Sequence, residues 1–177
     1  MIASDLHGSD HYCQLLCRRV EDERPGRLVL LGDILYHGPR NDLPREYDTK
    51  ACSARLNALI PPPLAIRGNC DGEVDQMVLD FPILSDFAVL FADGYSIFLT
   101  HGHHMDDASG RLHPGDVLLY GHTHVPDFTR RDGITLVNPG SVSIPKDGSR
   151  HSYLIFEGGA FSWKDVETGE TWREERL

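Results

Sequence analysis

Asp5, His7, Asp33, Asn69, His101, His122 and His124 are side chains that can share a metal ion, and each sits just past a short apolar run. The segments that carry them are Ala3-Ser4-Asp5-Leu6-His7-Gly8, Gly32-Asp33, Gly68-Asn69-Cys70-Asp71, His101-Gly102-His103 and Gly121-His122-Thr123-His124. Taken one at a time, such segments read equally well as turns. Together they supply two carboxylates, one amide and four histidines, a combination that independent turns have no reason to produce. Asp, Asn and His without a thiolate majority form a borderline hard/soft donor set that suits Mn, Fe, Zn or Co better than Ca or Mg. Seven donors exceed what one tetrahedral ion accepts. Two divalent ions sharing Asp33 would leave positions for water and substrate, the arrangement of a catalytic site rather than a structural one.

Convergence of residues so far apart needs strands that end at one place. Arg27 to Leu31 and Leu64 to Arg67 read as buried strands, each ending at a Gly and a polar residue. Tyr12, Leu15, Leu16, Arg19 and Val20 fit one helix, and residues around Ala51 to Ile60 a second. Beyond them, Phe87 to Phe91 and Tyr95 to Thr100 flank an Asp93-Gly94 hairpin, and Asp132-Gly133 marks another between Phe128 and Leu136. Val117 to Tyr120, Ser152 to Phe156 and Phe161 to Val166 complete the strands, with Trp163 and Trp172 expected to pack in the last of them. The expected order is a parallel core followed by an antiparallel meander, with the donors in loops at the carboxyl ends of strands. Only four residues precede Asp5, so either the first strand is short or residues upstream of it are missing.

The 177 residues fit one domain, 1–177, with enough chain for a real core. A formal charge of −10 with scattered basic residues argues against a duplex nucleic-acid partner. A small anionic substrate remains compatible, because two divalent cations would reverse the local field. The absence of an 18-residue apolar run excludes a membrane-spanning helix, and four cysteines without a C-x-x-C pair, together with no leader pattern, suggest a reduced, cytoplasmic setting. Cys13 and Cys17, four apart on a helix, read as small buried apolar side chains. An exposed meander edge would be open to pairing with another copy, a route to a homo-oligomer.

The ordered set D-x-H, G-D, G-N-C-D, H-G-H and G-H-T-H resembles the calcineurin-like metallophosphoesterases, and within them the small bacterial and archaeal phosphodiesterases. Residues Gly32 to Asn41 and Asn138 to Lys146 carry the resemblance furthest, and it covers about Ile2 to Phe156. It implies an α/β fold: a four-layer α/β/β/α sandwich of two mixed sheets. It also implies Asp5, His7, Asp33 and His124 on one metal, Asp33, Asn69, His101 and His122 on the other, and manganese as the activating ion. The activity implied is hydrolysis of a small phosphodiester by a hydroxide bridging the two ions. The same fold also serves as a non-hydrolytic interaction scaffold in a retromer subunit, and a phosphomonoesterase or nuclease would differ only in substrate.

The sequence departs from the wider superfamily at Cys70, where many members carry a histidine proposed to protonate the leaving oxygen; a thiol is a poorer match for that task. His103 is the alternative acid, or else a group that orients His101. Asp71 either orients a neighbour by hydrogen bonding or caps a helix. Arg40 and Asn41 are candidates for substrate contact, since a guanidinium fork suits phosphate oxygens, or else belong to a solvated loop. Arg67 could pair with a carboxylate, and His11, His37, His104, His113 and His151 match no donor position.

Overall fold

The structure, a computed structural model, describes residues 1–105 and 112–177. Its strands and helices run β1 (Ile2–Ala3), α1 (Asp10–Glu23), β2 (Val29–Leu30), α2 (Thr49–Asn57), β3 (Leu64–Ala65), α3 (Glu73–Gln76), β4 (Phe87–Ala92), β5 (Tyr95–Thr100), β6 (Val117–Leu119), β7 (Asp127–Arg131), β8 (Ile134–Asn138), β9 (Ser152–Glu157), β10 (Ala160–Asp165) and β11 (Thr171–Arg176).

Two mixed sheets result. The first has the order β11-β10-β9-β1-β2-β3 and the second β4-β5-β6-β8-β7. In the first, β1, β2 and β3 are parallel, and β9 joins β1 antiparallel. The short first strand matches its two parallel neighbours in length.

The second sheet is not the antiparallel meander expected from the sequence. Both expected hairpins form, β4 with β5 and β7 with β8. However, β6 runs parallel to β5 on one side and to β8 on the other. The 16 residues from His101 to Asp116 are enough for a crossover connection. The β7–β8 hairpin then brings β8, not β7, back beside β6.

Parallel strands deliver their following loops to one edge, so this departure is what places His101 and the His122-Thr123-His124 loop together.

Burial explains the layering. Ile2, Val29, Leu31, Leu154, Phe161 and Trp163 of the first sheet pack against Ile97, Leu99, Val117, Leu119 and Val137 of the second. On the opposite face of the first sheet, Tyr12, Cys13 and Leu16 of α1 and Cys52 and Leu56 of α2 pack on Ala3, Leu30 and Ala65. Cys13 and Cys52 are fully buried, and all four cysteines are free thiols.

The outer face of the second sheet is covered by Met105 and Leu112, which pack with Phe98, Leu118 and Ile134. These two residues bracket segment 106–111, and the fourth layer expected from the sequence lies outside the described residues.

Local signals set the helix ends. Ser9 caps α1 by accepting the Tyr12 N–H, and Asp48 caps α2 by accepting those of Lys50 and Ala51. Arg55 of α2 donates to both carboxylate oxygens of Asp10 at 2.6 and 3.2 Å, joining the two helix ends beside the site. The helix α2 ends at Asn57 rather than near Ile60, which is solvent-exposed and precedes Pro61.

Candidate metal centre

All seven residues read from the sequence as candidate metal ligands come together in the structure. Asp5 and His7 follow β1, Asp33 follows β2 and Asn69 follows β3, so the first sheet supplies four. The second sheet supplies His101 after β5, and His122 and His124 after β6. Two subsets, Asp5/His7/His124 and Asp33/His101/His122, each have donor atoms within 4.8 Å of one another. Asp33 Oδ2 lies 3.7 Å from His7 Nε2 and 3.4 Å from His101 Nε2, between the subsets. Asn69 Oδ1 is 3.1 Å from His101 Nε2.

Three histidines have their tautomer set by the main chain. Nδ1 of His7 lies 2.9 Å from the Tyr36 carbonyl, Nδ1 of His101 2.6 Å from that of Leu31, and Nδ1 of His124 2.6 Å from that of Ile144. A carbonyl only accepts, so each Nδ1 carries the proton and, in the neutral ring, each Nε2 keeps its lone pair. Nε2 of His7 and His124 lie only 3.3 Å apart and face Asp5 Oδ1 at 3.8 and 3.3 Å. Asp5 Oδ1 is buried with no hydrogen-bond partner among the described residues. Lone pairs that converge in a buried pocket call for a cation, and the donors present fit divalent ions.

The electrostatics agree. Burial pushes the Asp5 carboxyl up, but the His124 imidazole 3.3 Å from its Oδ1 and the charge of His101 outweigh it and hold it below its ordinary value. Asp33 is likewise held well down, against burial, by the hydrogen bond and charge of His101 and by the Cys70 N–H. For His101, burial opposes the charge, yet Asp33 and Asp5 raise its pKa to about 9. The donor loops are also conformationally unusual: Asp5, His7, Asp33, His122 and His124 all adopt positive φ, between 50° and 65°. Asp and His tolerate that region better than most residues, and its clustering here places the strain at the site.

Supporting contacts hold the loops. Asp71 is buried and accepts the N–H groups of Asp33, Ile34 and Gly68, each at 2.8 Å. It therefore orients its neighbours, and the residue that caps α3 is Gly72. Gly68 admits no side chain: a Cβ there would run into the Asp33 backbone and carboxylate, and one on Gly32 into the Gly68 backbone.

Asn138, Ser141 and Ser143 went unassigned in the sequence, although their Asn-Pro-Gly-Ser turn was the available signal. Asn138 donates to the Gly121 carbonyl at 2.9 Å, while Ser141 and Ser143 donate to the Asp5 carbonyl at 2.8 and 3.0 Å. The turn thus connects donor loops of both sheets. Trp163 donates its indole N–H to the Asn138 carbonyl at 2.8 Å, and Trp172 lies in β11 as expected.

A cavity of about 810 Å³ opens over the donors. Arg40 and Asn41 line it, as do Cys70 and three residues not singled out from sequence: Tyr36, Thr123 and Lys146. Asn41 also donates to the His37 carbonyl at 2.8 Å, holding its own loop. Burial, with the nearby Asp33 charge, pushes the Cys70 thiol up to about 12.

His103 stands beside His101 and His122, at ring-centroid distances of 5.4 and 6.1 Å, and is not part of the described cavity wall. It does not orient His101, whose Nδ1 is taken by Leu31. Arg67 Nε donates to the main-chain carbonyl of Asp71 at 3.2 Å rather than to a carboxylate.

Fold and site together define a metal-dependent phosphoesterase, and the chain belongs to the calcineurin-like phosphoesterase superfamily, whose domain profile matches residues 1–159. It is similar to phosphodiesterase YfcE of Escherichia coli K12, at 43% identity over 92% of this chain and 89% of that protein. A solved structure of the phosphoesterase YfcE from E. coli superimposes with a TM-score of 0.92 at 39% identity, covering 99% of this chain and 97% of that one. Vacuolar protein sorting 29 from Cryptosporidium parvum shares the fold, with a TM-score of 0.67 at 15% identity over 99% of this chain and 96% of its own. The chain is thus an enzyme, a hydrolase of the metallophosphoesterase type. Among the described residues no helix is long and apolar enough to cross a membrane.

Proposed function

We propose that this enzyme hydrolyses a small phosphodiester with a pair of divalent ions, manganese in the active form. Asp5, His7, Asp33 and His124 would hold one ion, and Asp33, Asn69, His101 and His122 the other. The observation that carries this reading is the convergence of main-chain-oriented imidazoles on the Asp5 and Asp33 carboxylates. When bound, the ions supply Lewis-acid polarisation of the phosphoryl group and make hydroxide available at neutral pH.

The protein's own residues do the rest. Arg40 and Lys146, on the cavity wall, offer cationic donors for phosphate oxygens. The Cys70 thiol, pushed up to about 12, keeps its proton near neutrality and is a weak acid there. Such a site favours ester groups that leave with little protonation. The similarity to a phosphodiesterase supports the choice of a diester, and the net charge of −10 weighs against long nucleic acids.

Purified protein loaded with manganese is expected to hydrolyse bis(p-nitrophenyl) phosphate, and Asp33→Ala or Asn69→Ala to abolish it. No turnover above background, together with tight binding of a protein partner, would replace this reading with the scaffold one.

A further inference from the structure

A second cavity, of about 520 Å³, adjoins the first and shares Tyr36 and Cys70 with it as common wall. Its other walls differ in chemistry. Leu35, Tyr47, Val74 and Val78 are among them. Tyr36, Val74 and Val78 are large apolar side chains left 41%, 75% and 50% exposed beside a charged site. Leaving them in water is unfavourable unless something covers them.

The ionisable side chains of this wall that could meet a charged ligand are Lys50 and Asp75, of opposite sign. The first cavity instead carries Arg40 and Lys146. Anionic phosphoryl therefore belongs in the first and an uncharged group in the second. A cavity walled by tyrosine, leucine and valine residues suits a flat ring.

We infer that the groove lined by Tyr36, Tyr47, Val74 and Val78 is a binding site for an aromatic ester group of the substrate. The substrate class is then a phosphodiester bearing at least one aryl or heteroaryl substituent. This rests on the proposed function, because the shared wall at Cys70 is what joins the groove to the phosphate site.

The test is calorimetric binding of phenylphosphonate, hexylphosphonate and methylphosphonate to the manganese-loaded protein. Phenylphosphonate should bind about tenfold tighter than methylphosphonate or better, as expected for covering one ring. In a Val74→Lys/Val78→Lys double variant that ratio should collapse toward one, and in Val78→Leu it should persist. Manganese stoichiometry checks that each variant is folded. Equal binding of phenyl and methyl ligands, a ratio unmoved by the lysines, or hexylphosphonate binding as well as phenylphosphonate would each overturn the aromatic site. Hydrolysis of bis(p-nitrophenyl) phosphate, measured in parallel, separates the two readings: turnover with a flat binding ratio removes this inference alone, and no diester turnover removes both.

Discussion

Asp71 accepts the Asp33 N–H at 2.8 Å, while Asp33 Oδ1 accepts the N–H of Cys70, the residue before Asp71, at the same distance. The two carboxylates clasp each other's loops, so the central donor Asp33 is held from both ends. Replacing Asp71 by Asn puts amide hydrogens where acceptors are needed. We expect Asp71→Asn to cost about 3 kcal/mol of stability and to weaken metal binding about 10- to 100-fold. Urea unfolding and competition with a chelating dye would measure the two losses.

Close approach of the β2 and β3 loops leaves no volume at Gly68. Gly68→Ala should destabilise by about 3 kcal/mol or more, because the atoms in the way are backbone and a donor carboxylate. Gly26, which has nothing within 4 Å of an added Cβ, provides the control. Gly26→Ala should shift unfolding by no more than about 0.5 kcal/mol.

Metal binding should release a proton from His101. Its pKa, raised to about 9 in the metal-free protein, lies above its ordinary value. The charged ring therefore contributes stability below about pH 6.5, and that contribution is lost as pH rises through 9. An ion needs the neutral ring, so apparent manganese affinity should climb about tenfold per pH unit from 7 toward 9 and then level. Calorimetry in buffers of different ionisation enthalpy would count the proton, and His101→Ala should remove it.

Cys70 and His103 are the two candidates for the acid that protonates the leaving oxygen. The thiol is held protonated, and the imidazole stands beside His101 and His122; we propose that neither protonates the leaving group efficiently. The rate should therefore fall steeply as leaving-group pKa rises. Cys70→Ala and His103→Ala should both keep that slope across a series of aryl diesters. A loss that grows with leaving-group pKa in either variant would assign the acid to that residue.

That these seven residues would converge was legible in the sequence because each of the five segments carrying them follows an apolar run and contains a glycine, and such punctuation survives without a structure. The two hairpins were legible for the same reason, through Asp93-Gly94 and Asp132-Gly133. Strand direction in the second sheet was not. Whether β6 runs with or against β5 depends on the path from His101 to Asp116, and turn residues at its ends carry no record of that path. Lys146 and Tyr36 lay in the stretches that carry the resemblance but were given no role, since a lone lysine after a turn and a tyrosine in a loop look like ordinary surface. Asp71 was read only as far as a choice between two roles. Its three backbone partners come from two loops more than 30 residues apart in the chain, a distance that local reasoning does not span.

The neighbours of β1 have a bearing on how the chain reaches its final shape. One flank is met by β2 at Val29 and Leu30, and the other waits for β9, whose Leu154 pairs with Ile2. During vectorial synthesis the opening strand must therefore stay half-matched until some 150 residues have followed it.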